Sequence, residues 1–150
     1  TLHTNDAPST VTRLLNMGIP SFNITSSILL ITAQRLVRKL CHCKQKLDPL
    51  PQEALLELGY REEELATPWQ LYGPGGCERC KGSGYKGRVG LYQVMPISER
   101  IQEIIHTSGS TLEIAQQAAA EGVKSLRQSG LSKVQQGSTS LEEVLSSTNL

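Results

Sequence analysis

Aromatic side chains are scarce in this sequence: one Trp, one Phe and four Tyr among 150 residues. Rings supply much of the buried area of ordinary cores, so a chain 38% hydrophobic and 4% aromatic supports only a modest one. Long apolar runs are missing as well. Ile28-Leu29-Leu30-Ile31 falls far short of the roughly 18–20 residues that a membrane span needs. Charge of one sign does not dominate: a net charge of +1 exerts no global pull toward nucleic acid or anionic lipid. Catalytic equipment is thin. No Gly-x-x-x-x-Gly-Lys-Ser/Thr phosphate loop is present, no Ser–His–acid set stands out by spacing, and the glycines at 82–90 precede an expected strand rather than a helix. No secretory leader is seen in these residues, and the first of them, Thr1-Leu2-His3-Thr4-Asn5, without an initiator methionine, are expected to come from the middle of a longer protein.

What is present is organised around four cysteines, Cys41 and Cys43 on one side and Cys77 and Cys80 on the other, with 33 residues between the pairs. Four soft ligands contributed by twos suit a closed tetrahedral zinc site, so these four are the expected metal ligands. Cys77-Glu78-Arg79-Cys80 has the usual knuckle spacing, and Gly82 and Gly84 let the chain turn back toward the sulfurs. Cys41-His42-Cys43 is one residue shorter and demands a tighter turn; His42, between two ligands, is expected to point away. Disulfides suit a secreted, cysteine-dense chain, which this is not; reduced cysteines point to a cytoplasmic protein. Arg35, Arg38, Lys39, Lys44 and Lys46 flank the first pair without an acid. They suit a phosphate or acidic partner, or a solvated face that offsets the charge of a thiolate-rich metal site.

In chain order, Asp6 and Pro8 suit a helix start, with Val11, Leu14 and Leu15 inward and Gly18 as the stop. A second helix is expected with Ile24, Ile28 and Ile31 on one face, followed by a strand over 33–40 leading into the first knuckle. Pro51 to Gly59 reads as a short helix, and Trp69, Leu71 and Tyr72 are expected to pack on the cysteine lobe. Val89, Leu91, Tyr92 and Val94 read as a strand. From Ser98 onward the pattern is helical: Ser98 as a cap, Ser110 and Glu113 as a capping box, a helix from Leu126 to Gly137 weakened by Gly130, and a last helix from Thr139-Ser140. The fold class expected is α+β, mostly α. A lone histidine, His3, is the one catalytic candidate by residue type.

Nearly the whole chain, in order, resembles one family. Thr1-Leu2-His3-Thr4-Asn5-Asp6-Ala7-Pro8, Arg13 to Gly18, Ala33 to Cys41, Cys77 to Cys80, Gly84 to Tyr92, Ser125-Leu126-Arg127 and Thr139 to Val144 resemble the secretion ATPases of type II secretion and type IV pili. The pilus-extension branch is the nearer likeness and the type II branch the alternative. The resemblance implies the C-terminal part of a hexameric, Mg-ATP-driven motor. Residues 1–40 would end a RecA-like α/β core, 41–96 would form a zinc lobe, and 97–150 a small helical subdomain. It implies that His3 closes a histidine box at the nucleotide site, and that Arg13 and Arg35 contact nucleotide or a neighbouring subunit. It places the phosphate loop upstream, so the fragment itself would not hydrolyse ATP. An inner-membrane platform protein and further regulatory proteins are the implied partners, with the motor cytoplasmic and peripheral to that membrane; nucleic acid is not expected. Two other classes compete. Cys77-x-x-Cys80-x-Gly82-x-Gly84 fits one knuckle of a DnaJ-like client-binding module, which stacks several. A nucleic-acid-binding zinc ribbon has only the basic stretch at 35–46 in its favour.

Overall fold

A computed structural model describes residues 2–148; Thr1, at the edge of the first motif, lies outside the described residues. The class is α+β. Helices α1 (Ala7–Asn16) and α2 (Ser21–Ser27) precede strand β1 (Leu30–Leu40). Strand β2 (Gln45–Lys46), helices α3 (Gln52–Glu57) and α4 (Glu62–Leu65), strand β3 (Tyr72–Gly73) and a 3-10 turn (Glu78–Cys80) follow. The long strand β4 (Tyr85–Pro96) then leads to α5 (Glu99–His106), α6 (Thr111–Ala120), α7 (Leu126–Gln135) and α8 (Leu141–Ser147). β1 pairs with β4, and β2 with β3. At one end of the first pair Ile97 N–H donates to Leu29 C=O, and at the other Cys41 N–H donates to Gly84 C=O, so β1 and β4 run in opposite directions.

Contacts divide the described residues into two compact units. The first takes residues up to Gln34 and Tyr92–Leu126; the second takes Arg35–Leu91 and the residues from Arg127 on. Helices α5 and α6 thus fall with the first unit, and α7 and α8 with the second.

The first unit is a small helical layer on aliphatic side chains. Asp6 caps α1, its Oδ1 accepting Ser9 N–H at 2.8 Å, and Pro8 occupies the first turn, where a missing N–H costs nothing. Ala7 N–H donates to Gln93 Oε1 at 2.8 Å, tying the start of α1 to β4. Ser98 caps α5 through Ile101 N–H, and Ser110 and Glu113 form the expected reciprocal box on α6. Val11, Ile24, Met95, Ile101, Ile105 and Ile114 are almost wholly buried. The expected long second helix is corrected: α2 stops at Ser27, Ile28 is already extended, and Ile31 lies in β1. Here Ile31 and Ala33 are buried with exposed neighbours, and that alternation belongs to a strand.

The second unit gathers Tyr60, Leu71, Leu131, Val134 and Val144 into a core, with Trp69 and several leucines against it. Leu71 and Trp69 therefore pack among the helices of this unit. Tyr72 sits with β2, in the register Lys46↔Tyr72. Gly130, which lowers the helical propensity of α7, has a packing reason: a Cβ there would lie 2.4 Å from Val144 Cγ1, so only glycine lets α7 and α8 approach this closely.

Candidate metal centre

The first pair of cysteines stands at the end of β1. Cys41 N–H bonds to Gly84 C=O at 2.8 Å, and Lys44 N–H closes a tight turn onto Cys41 C=O at 3.0 Å. The second pair brackets the 3-10 turn Glu78–Cys80. Three of the next four residues, Lys81, Gly82 and Gly84, have positive φ, and this winds the backbone around the Cys80 sulfur. Gly84 is irreplaceable there. Its φ is +75°, and a Cβ would meet Pro74 Cβ at 2.5 Å and Gly75 O at 2.6 Å. The reward is a backbone N–H aimed at sulfur: Gly84 N and Cys77 N each lie 3.3 Å from Cys80 Sγ.

The four Sγ atoms lie within 4.8 Å of one another. Cys41–Cys77, Cys43–Cys80 and Cys77–Cys80 are separated by 3.9, 3.8 and 3.7 Å. Those distances far exceed the about 2.05 Å of a disulfide, and all four thiols are free. Sulfurs placed about 2.3 Å from a common centre at tetrahedral angles stand about 3.8 Å apart, so the cage matches a tetrahedral thiolate site for zinc or a similar ion. The spacing C-x-C does not open it.

The thiols differ in their surroundings. The Cys77 backbone N–H, and after it the Gly84 N–H, hold the Cys80 thiol down to about 6. Hydrogen bonding from the Cys43 backbone lowers Cys41. Desolvation, with three neighbouring sulfurs, pushes Cys43 up to about 12. The cage by itself thus accommodates some thiolates readily and resists the full set; a divalent cation removes that resistance. His42 does not point away. Although exposed, its Nδ1 lies 3.3 Å from Cys41 Sγ, outside the sulfur cage but able to orient one of its members.

Two of the basic residues around the first pair, Arg38 and Lys44, are put to structural use. Arg38 Nε and Nη2 donate to Glu143 Oε1, and Arg38 N–H donates to Glu143 Oε2. The guanidinium also lies 4.2 Å from the Tyr85 ring centre. These bonds hold the Glu143 carboxyl below its usual range and raise Arg38 further. Lys44 Nζ donates to Gly137 C=O at 2.7 Å and sits over the Tyr72 ring. Nothing in the sequence pointed to the contacts of Glu143 and Tyr85, whereas Tyr72 was expected to pack on this lobe. Glu143 stands three residues after Ser140, where a capping glutamate is expected; its N–H does bond Ser140 Oγ, but its carboxylate goes to Arg38.

The remaining site candidates are not members of the cysteine cluster. His3 is exposed, and its carbonyl accepts Arg13 Nη1 at 3.2 Å. Both line a polar hollow of about 320 Å³ in the first unit, with Asn5, Thr12 and Thr111. Arg35 is half-buried on β1 and belongs to the second unit.

An all-cysteine cage at the end of a strand pair is a group that could hold a metal ion. The chain belongs to the type II/IV secretion system protein family, whose pattern matches residues 1–146. It is 54% identical over 145 residues to the type IV pilus assembly ATPase PilB of Pseudomonas aeruginosa, across 96% of this chain and 25% of that protein. Identity to PilB of Myxococcus xanthus is 46% over 149 residues, covering 99% of this chain and 26% of the relative. Type II secretion system protein E of Aeromonas hydrophila is 41% identical over 145 residues, 97% of this chain and 28% of the relative. The chain spans about a quarter of the length of these curated relatives.

Proposed function

We propose that this chain is the metal-bearing C-terminal part of a hexameric motor that hydrolyses ATP, with Mg, to power type IV pilus assembly. The observation that carries the reading is the gradient of identity, 54% to a pilus assembly ATPase against 41% to a type II secretion protein. The same 41% supports the second reading, a type II secretion motor. Residues 1–40 would complete a RecA-like core, 41–96 the metal lobe and 97–150 the helical end. His3 would face the γ-phosphate, with Arg13 and Arg35 toward nucleotide or a neighbouring subunit. The partners would be further copies of the parent and an inner-membrane platform protein, with regulators beside them and no nucleic acid. The parent would work in the cytoplasm against that membrane; among the described residues no helix is long and apolar enough to cross it.

Cys41, Cys43, Cys77 and Cys80 would hold one zinc ion, which supplies a crosslink and neutralises thiolate charge when bound. The chain's own contribution is to aim Gly84 and Cys77 N–H groups at Cys80 and to anchor the strand end through Arg38 and Lys44. A stiffened lobe passes rotation of the ATP-binding core to the platform protein. The test replaces Cys77 and Cys80 by serine in the full-length parent and counts surface pili. Loss of extension with the protein still present is expected; normal piliation overturns the role. The isolated chain, without a phosphate loop, is expected to release no phosphate from ATP.

A further inference from the structure

The segment between the two cysteine pairs does more than close a loop. Its helices α3 and α4 and the stretch before β3 wall a cleft of about 270 Å³ lined by Leu50, Leu55, Leu65, Pro68, Trp69 and Leu71. The walls are apolar and fixed from behind: Leu71 is buried in the core, and the Trp69 ring packs on Tyr60 with centroids 5.5 Å apart. The front is open, with Leu50 36% exposed. Pockets for cofactors and drug-sized ligands run from about 300 to 1,000 Å³ and carry convergent polar groups. This cleft is slightly smaller, and the polar side chains in its lining are Gln52 and Thr67. Its size suits a few apolar side chains of a protein segment, and a half-exposed Trp beside leucines is the composition of an interface anchor.

Charge names the occupant. Residues 48–71 carry Asp48, Glu53, Glu57, Glu62, Glu63 and Glu64 against one base, Arg61, whereas the chain as a whole has net charge +1. Five of the six acids are exposed. None of these acids lines the cleft itself, but the segment that walls it is acidic on its exposed side, and such a surface attracts a segment that sets apolar side chains among lysines and arginines and repels an acidic one. Short cytoplasmic loops of inner-membrane proteins have that composition, because Lys and Arg accumulate on the cytoplasmic side. The geometry points to this cleft as the docking site for a short basic, apolar segment from a cytoplasmic loop of an integral membrane protein. The partner's location rests on the proposed motor function; the chemistry of the segment rests on the cleft alone.

Trp69 is the single tryptophan of the chain and reports directly. The 150-residue protein is titrated with a short amidated peptide in which leucine and phenylalanine alternate with lysine and arginine. Two control peptides replace the bases by glutamate or the apolar residues by glycine. The expected result is a saturable shift of Trp69 emission, at least tenfold weaker for both controls, weakened by salt and by the exposed substitutions Glu62→Lys with Glu63→Lys. Leu50→Lys abolishes it while the circular dichroism spectrum is retained. An unchanged emission, or an equal response to all three peptides, overturns the assignment. A shift that follows protein concentration and ignores peptide gives the cleft to a second copy and overturns it as well. The assay needs neither ATP nor a pilus, so normal piliation in the cysteine variant rejects the motor role of the lobe and leaves this result standing.

Discussion

The two units of the chain hold themselves together by different means. The first buries Val11, Ile24, Ile101, Ile105 and Ile114 almost completely, and its helices are locally well capped. Burial of such side chains contributes roughly 1.5–3 kcal/mol each, before the entropy of ordering the chain is charged against it. The second also buries apolar side chains, Val37, Tyr60, Leu71, Leu91, Leu131, Val134 and Val144 among them, but three of its elements are strands or turns of two or three residues. It adds specific links to that core: four sulfurs around one point, an ion pair between Arg38 and Glu143, and a lysine on a helix-end carbonyl. The lesson is that a segment of short, irregular elements is made definite by links that join elements distant in sequence. Such links are also individually removable, whereas a hydrophobic layer loses stability in proportion to what is cut from it.

Metal removal separates the two most widely. A strong chelator applied to zinc-loaded protein is expected to cost the second unit several kcal/mol, given binding free energies of about 10–16 kcal/mol in structural zinc peptides. Hydrogen exchange read by peptide should show protection lost in residues 41–91 and retained in α1, α5 and α6. Equal loss in both units would mean that the division described above is not one of stability.

Ile101→Ala is the reciprocal cut. Ile101 is fully buried, so its truncation is expected to cost about 2–5 kcal/mol, read as a lowered midpoint in urea, with zinc content unchanged at one per chain. Loss of zinc in this variant would show that the cage depends on the aliphatic layer.

Glu143→Gln is expected to have the smallest effect, about 1 kcal/mol or less, because the Arg38 side chain is 54% exposed and water screens the pair. The carboxyl of Glu143 is depressed below its ordinary value by Arg38. Its contribution is therefore full above the unfolded carboxyl value of about 4.3 and lost as pH falls through the lower folded value. The wild-type should lose this increment in acid, and the glutamine variant should not. Parallel pH profiles for the two would remove the ion pair from the account.

Much of this was legible in the residues. Capping patterns located α1, α5 and α6 because Asp6, Ser98 and Ser110 act on neighbours two or three positions away. The two cysteine pairs suggested a cage, and the sulfurs do converge. What stayed hidden was everything nonlocal. Ile28 and Ile31 fit a helical face as well as a strand, and only pairing with β4 decided for the strand. Gly130 looked like a weakness until Val144 appeared against it. Arg38 and Lys44 read as a basic face, since nothing near them in sequence announces Glu143 or the Gly137 carbonyl. The cleft walled by Leu50, Leu55, Leu65 and Trp69 was hidden for the same reason: the acids of its segment are plain in the sequence, but its walls come together only in space.

The links between the strand end and the last helices have a temporal consequence. Arg38 meets Glu143 across 105 residues, Thr139 Oγ1 meets Arg38 C=O across 101, and Lys44 meets Gly137 across 93. Loops of that length close late, since their ordering cost precedes any return from the contact. During synthesis, at about 5–20 residues per second, the cysteines emerge well before the residues that brace them. For several seconds the nascent lobe must keep four nucleophilic sulfurs without its clasp. An ion captured early would protect them from oxidation and hold the knuckles in register until residues 137–143 leave the ribosome.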